Sequence, residues 1–201
     1  MTINKFATPT VVAFVALVSI GLVAGAGLTA RAQSSSSWGP KWTANDELIL
    51  PTNYHQWIFL GSPITPNALN DGAAGFPEYH NVYVHPEAFK AYKKTGDWPE
   101  GTVLLKELQL TFPGENPDGS RDEPSGRGYF PGKRNGIDIS VKDSKRFKDT
   151  NGWGFFNFGH HAPPYAKTAG VQPADACAGC HISNATNMVF SKFYAPILNA
   201  K

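Results

Sequence analysis

Cys177 and Cys180 are the only cysteines in the chain, and His181 follows the second directly. A Cys-x-x-Cys disulfide closes a very small loop and constrains little of the unfolded chain. Zinc wants four ligands close together, and no second cysteine pair exists. A thioredoxin-type redox pair belongs beside a strand near the start of a βαβ unit, whereas this pair lies late in the sequence. Cys-x-x-Cys-His is the attachment signature of c-type haem. The thiols form thioethers with the porphyrin, and the histidine becomes the proximal ligand to iron. The expectation is one covalent haem c per chain, held by Cys177, Cys180 and His181, with His181 as the metal ligand.

The other side of the iron decides between electron carriage and chemistry. Met188 lies seven residues after His181. If that segment is helical, two turns of helix keep it on the proximal side. Five further histidines are available: His55, His80, His85, His160 and His161. His80 alternates with Val82 and Val84, so a regular strand turns it inward. His85 precedes Pro86 at a helix start, and His160 and His161 read as turn residues. Lys106 is the odd residue in an apolar row, sharing its strand face with Thr102, Leu104, Leu108, Leu110 and Phe112. A lysine stripped of water there tends toward the neutral amine, a nucleophile. The alternative is a side chain that snorkels out at the sheet edge.

These residues need elements to hold them. His55–Gly61, Glu78–Val84, Gly101–Phe112, Asn135–Lys142 and Gly152–Phe158 are rich in aromatic and β-branched residues and read as strands. Pro86 opens a helix to about Lys94, and Gly96 closes it. Residues 113–128 are crowded with Pro, Gly, Asp and Ser and read as a loop. Further helix is expected around the haem motif. The fold class is mainly β or α+β: an antiparallel sheet with a few helices, and haem bound near the C-terminus. Phe155, Phe156 and Phe158 are candidates to line the haem pocket, although alternate strand residues face opposite ways.

The first 32 residues read as a signal peptide, with Lys5, an apolar run from Val11 to Ala26 and Ala30-Arg31-Ala32 before the cut. An uncleaved anchor is the rival reading. Residues 33–45 read as a flexible lead-in and 46–201 as one haem domain. Export places the protein in the periplasm, where c-type haem is attached. Two of the 18 basic residues, Lys5 and Arg31, lie in the leader, which leaves 16 against 16 acidic residues. A balanced chain gives no reason to expect nucleic acid as a partner.

The stretches "NDELILPTNYHQWIFLGSPITPNALNDG", "VYVHPEAFKAYKKTGDWPEGTVLLKE", "GYFPG", "SVKDSKRF" and "CAGCH" followed by "MVFSKFYAPIL" resemble, in order and spacing, cytochrome P-460. The resemblance implies a mostly antiparallel sheet, a homodimer, and a periplasmic enzyme that oxidises hydroxylamine at a five-coordinate haem. The product is nitrous oxide, nitric oxide or nitrite, and a small cytochrome c or other external acceptor takes the electrons. It also implies a covalent bond from a lysine amine to the porphyrin edge, at the position of Lys106. A distal carboxylate falls at Asp138, where some members have Glu, and a distal arginine of relatives aligns with His80. That last departure leaves His80 either donating a hydrogen bond or ligating iron. Two alternatives therefore stand beside the enzyme: a cytochrome c′-beta-like nitric oxide binder, and a six-coordinate electron-transfer cytochrome.

Overall fold

The computed structural model describes residues 38–200. The expected leader lies outside the described residues. In chain order the elements are β1 (Leu48–Ile49), β2 (Ile58–Gly61), β3 (Tyr79–Val84), α1 (Pro86–Thr95), β4 (Val103–Thr111), β5 (Arg121–Glu123), β6 (Gly126–Gly128), β7 (Pro131–Lys142), β8 (Trp153–Asn157), β9 (Thr168–Ala169), α2 (Ala178–Asn184) and α3 (Ala195–Leu198). Five strands form one antiparallel sheet in the order β2-β3-β4-β7-β8, while β1 pairs β9 and β5 pairs β6. The chain is thus mainly antiparallel β-sheet with three α-helices among the described residues, as its sequence leads one to expect.

Both faces of this sheet are covered, which is why successive residues of the central strand β4, Val103, Leu104 and Leu105, are all apolar and buried. On one face Val82, Val84, Leu104, Trp153 and Phe155 pack against α1 and against the C-terminal segment that carries Met188, Val189, Tyr194 and Ile197. On the other face Val103, Leu105, Ile137, Ile139, Val141, Phe156 and Phe158 pack with Leu48 and Tyr54. The helix α1 begins at Pro86, whose missing N–H is lost on nothing at that position, and His85 Nδ1 accepts from Glu87 N at 3.3 Å. It ends at Gly96 with φ 78°, a left-handed cap. Gly61 brings the C-terminal segment onto β2: a Cβ there would sit 3.1 Å from the Tyr194 ring and 3.2 Å from Phe193 O.

Several boundaries differ from the sequence reading. The first strand of the large sheet starts at Ile58, because Tyr54–Gln56 form a 3-10 turn. Residues 113–128 include the β5–β6 hairpin, held by Arg127, which donates to Asp118 Oδ1 at 2.9 Å and Ser120 Oγ at 2.7 Å. Its strands bury little and so show no hydrophobic alternation. In β4 the register slips at Gln109, and alternation fails beyond Leu108. Leu110 and Phe112 are exposed and do not share a buried row with Lys106. In the stretch read as a lead-in, Trp38 stacks on His85 at 5.6 Å and Trp42 bridges to Leu48.

Candidate functional site

Strand register builds one half of the site. Val82, Lys106, Asp138 and Asn157 form a single cross-strand row from β3 to β8. The row beside it is Val84, Leu104, Ser140 and Phe155. Opposite them lies the C-terminal segment, and between the two is a cavity of about 540 Å³. That volume is within the ordinary range for a small-molecule or cofactor site. Cys177, Cys180, His181, Lys106, Asp138 and His80 all line it.

Cys177 caps α2, and Cys180 and His181 follow one turn later on the same face. The two cysteines form no disulfide with each other, Cys180 being exposed and Cys177 half-buried. Burial pushes the Cys177 thiol up. His181 Nδ1 lies 2.8 Å from Met188 O. A carbonyl only accepts, so the proton is on Nδ1 and the lone pair is on Nε2. Nε2 has no protein partner among the described residues. Phe155 and Phe190 flank the ring at 4.6 and 4.9 Å. Burial lowers the His181 pKa and so favours the neutral imidazole, the form that ligates a metal. A ring nitrogen fixed by a carbonyl while the other stays free is the usual preparation of a ligating histidine. Among the described residues no group of three or more His, Cys, Asp or Glu is placed to hold a metal ion alone. Two free thiols, a pre-oriented imidazole and a largely apolar cavity therefore fit a porphyrin.

The helix ends at Asn184, so Met188 is not carried along it. Its backbone turns back with φ 66°, presenting the carbonyl to His181. Its sulfur instead accepts from Asn151 Nδ2 at 3.7 Å. Met188 thus stays on the His181 side for a reason other than helix geometry.

Across the cavity the charges are paired. Lys106 Nζ lies 2.9 Å from Asp138 Oδ2 and 4.0 Å above the Phe76 ring. The lysine therefore has a carboxylate beside it in place of a wholly apolar row. Asn157 Nδ2 donates to Asp138 Oδ1 at 2.8 Å, and His160 Nε2 lies 3.1 and 3.2 Å from its two oxygens. Burial alone would raise the Asp138 carboxyl, but the His160 hydrogen bond and the Lys106 charge hold it down at about 2. The same hydrogen bond lifts His160. His80 is lowered, first by burial and then by the Lys106 charge, and its Nε2 is 3.3 Å from Phe76 O.

The three phenylalanines separate. Phe155 lies against His181. Phe156 borders the cavity, but its ring packs in the opposite core, 5.6 Å from Trp42 and 6.0 Å from Phe147. Phe158 is buried in that opposite core and does not line the cavity. Strand alternation is the reason, and Phe158 is removed from the pocket set. Phe76 and Asn157, absent from the sequence reading, belong here, and so does His160, which the sequence offers only as a turn residue. Asn157 was legible in principle from the pairing of β7 with β8, which sets it beside Asp138. Phe76 comes from a Gly- and Pro-bounded loop with no periodic signal.

A family model described as Cytochrome P460 matches residues 51–191, a span that contains every residue of this cavity named above. No curated protein matched the chain.

Proposed function

This chain belongs to the cytochrome P460 family, whose members are haem c cytochromes with hydroxylamine-oxidising activity, and on that premise we propose that it oxidises hydroxylamine. Cys177 and Cys180 would carry the porphyrin covalently and His181 Nε2 would take the iron. When bound, the haem would supply a Lewis-acidic, redox-active centre for the nitrogen, with the electrons leaving to an external acceptor such as a small cytochrome c. Everything else falls to the protein. Asp138 accepts the protons that leave the substrate as it is oxidised. A carboxyl held near 2 is ionised and ready to accept, yet a weak base at neutral pH. Tethering Lys106 to the porphyrin edge would remove the ammonium charge beside Asp138 and strengthen it as a base. His80 would turn its Nε2–H from Phe76 O to donate to the substrate oxygen, in the role of an absent arginine. Phe76 and Phe155 limit water. The mature protein acts in the periplasm as a homodimer, releasing nitrous oxide, nitric oxide or nitrite.

The observation that carries this reading is the meeting of the two thiols, His181 and the Lys106–Asp138 pair in one cavity. The test is turnover of hydroxylamine by the holoprotein with an electron acceptor, beside an Asp138→Ala variant. Turnover that depends on Asp138 supports the proposal. Haem-loaded protein that binds nitric oxide but turns over no hydroxylamine would replace it with a binding role.

A further inference from the structure

We propose that His160 is the relay through which protons collected at Asp138 reach solvent. The inference rests on the reading of Asp138 as the proton acceptor, but the relay has its own geometry. His160 Nε2 faces both carboxylate oxygens, at 3.1 and 3.2 Å. Its side chain is 43% exposed where that of Asp138 is 23%, so the ring spans from the carboxylate to water. Nδ1 has no protein partner among the described residues. A hydrogen-bonded imidazole with one edge on a half-buried acid and the other free is the arrangement that a proton shuttle needs.

The backbone is shaped to put the ring there. Gly159 has φ 123°, outside the range of ordinary residues, and turns the chain back after β8. Gly136, beneath the ring, leaves it room: a Cβ there would lie 3.0 Å from His160 Cδ2 and 2.9 Å from Gly159 O. Phe76 stands edge-on to the imidazole at 5.8 Å while also covering Lys106 at 4.0 Å. The charged groups facing the ring are Asp138 from β7, Lys106 from β4 and Glu78 just before β3. Glu78 is a buried second acid: its Oε1 accepts from Asn135 Nδ2 at 2.7 Å, and its Oε2 is buried with no partner.

The transfer balances as one proton in and one proton out. The Asp138 carboxylate takes a proton and becomes neutral. With Asp138 neutral, the imidazole tautomer protonated on Nδ1 turns the lone pair of Nε2 to the carboxyl and takes that proton. The imidazolium so formed gives one from Nδ1 to water, and exchange of the remaining proton from Nε2 to Nδ1 through solvent resets the ring. No electron passes through the ring. Neutralising Asp138 also removes the charge that holds a proton on His160, which favours release.

The experiment uses the holoprotein, with His160→Asn and Asp138→Asn variants. Asparagine at 160 retains a hydrogen-bond donor and cannot shuttle protons. Hydroxylamine turnover is followed from pH 5 to 9, with and without added imidazole. The relay predicts that His160→Asn lowers kcat about tenfold or more. Imidazole restores most of that loss, and does not restore Asp138→Asn. Separately, an NMR titration of the His160 ring in the resting protein should give a lower midpoint in Asp138→Asn than in the wild type. If His160→Asn keeps the wild-type kcat and pH profile while Asp138→Asn is inactive, the relay is overturned and the role of Asp138 stands. If Asp138→Asn turns over like the wild type, the acceptor reading fails and takes the relay with it. A His160 midpoint indifferent to Asp138 overturns the coupling whatever the turnover shows.

Discussion

Replacing Asp138 with asparagine keeps the shape of the side chain and removes its charge. Lys106 at 2.9 Å and His160 at 3.1 Å then face an amide. The carboxyl is held at about 2, against 3.8 for the unperturbed group. Each pH unit of such a shift is worth ~1.4 kcal/mol, so the ionised carboxylate contributes roughly 2 kcal/mol to folding. A value below that of the unfolded chain adds stability above about pH 4, and that stability is lost as pH falls toward 2. Urea unfolding of the haem-free chain, in which Lys106 keeps its ammonium charge, at pH 5, 4, 3 and 2.5 measures it. The wild type should be more stable than Asp138→Asn by roughly 2 kcal/mol at pH 5, and the two should converge as pH approaches 2. His160 works in the opposite sense. Its raised pKa adds stability below about 6.5 that is lost as pH rises through its folded value, and the variant should lack this limb too. Parallel stability curves for the two proteins across pH 5 to 2.5 would refute the reasoning.

Met188 offers its backbone to His181 from a left-handed conformation, so Met188→Gly should keep the carbonyl contact and the ferric absorption spectrum. Met188→Val, β-branched at φ 66°, should lose roughly 1–2 kcal/mol and shift the spectrum as the imidazole is released. On the far face of the sheet, Tyr54 donates to buried Glu107 at 2.6 Å. Tyr54→Phe should lower stability by roughly 1.5–3 kcal/mol, read by urea unfolding, with hydroxylamine turnover unchanged. Gly136→Ala should push the His160 ring off Asp138, and an NMR titration should then show the midpoint of His160 falling toward that of a free imidazole.

What was legible in the sequence was local. Cys177, Cys180 and His181 occupy neighbouring turns, so their spacing alone announces a shared face. Pro86 and Gly96 mark the ends of α1 because each satisfies a backbone requirement at its own position. Lys106 faces inward because strand alternation holds from Val103 to Leu108, whereas Asp138 was reached only through the family resemblance. What was hidden depends on distant pairing. His160 reads as a turn residue, and its meeting with Asp138 requires the β7–β8 register and the two glycines around it. The Lys106–Asp138 ion pair requires the β4–β7 register, without which the lysine reads as one among leucines. The β5–β6 hairpin is held by polar side chains and carries no hydrophobic pattern to read.

The most direct test of the whole account is to digest the purified, mature protein and weigh its haem peptides. The expected species is a haem joined through Cys177 and Cys180 to the peptide that contains His181, and joined again to the peptide that contains Lys106. A haem released intact by acid extraction, with both cysteines recovered as free thiols, would contradict it.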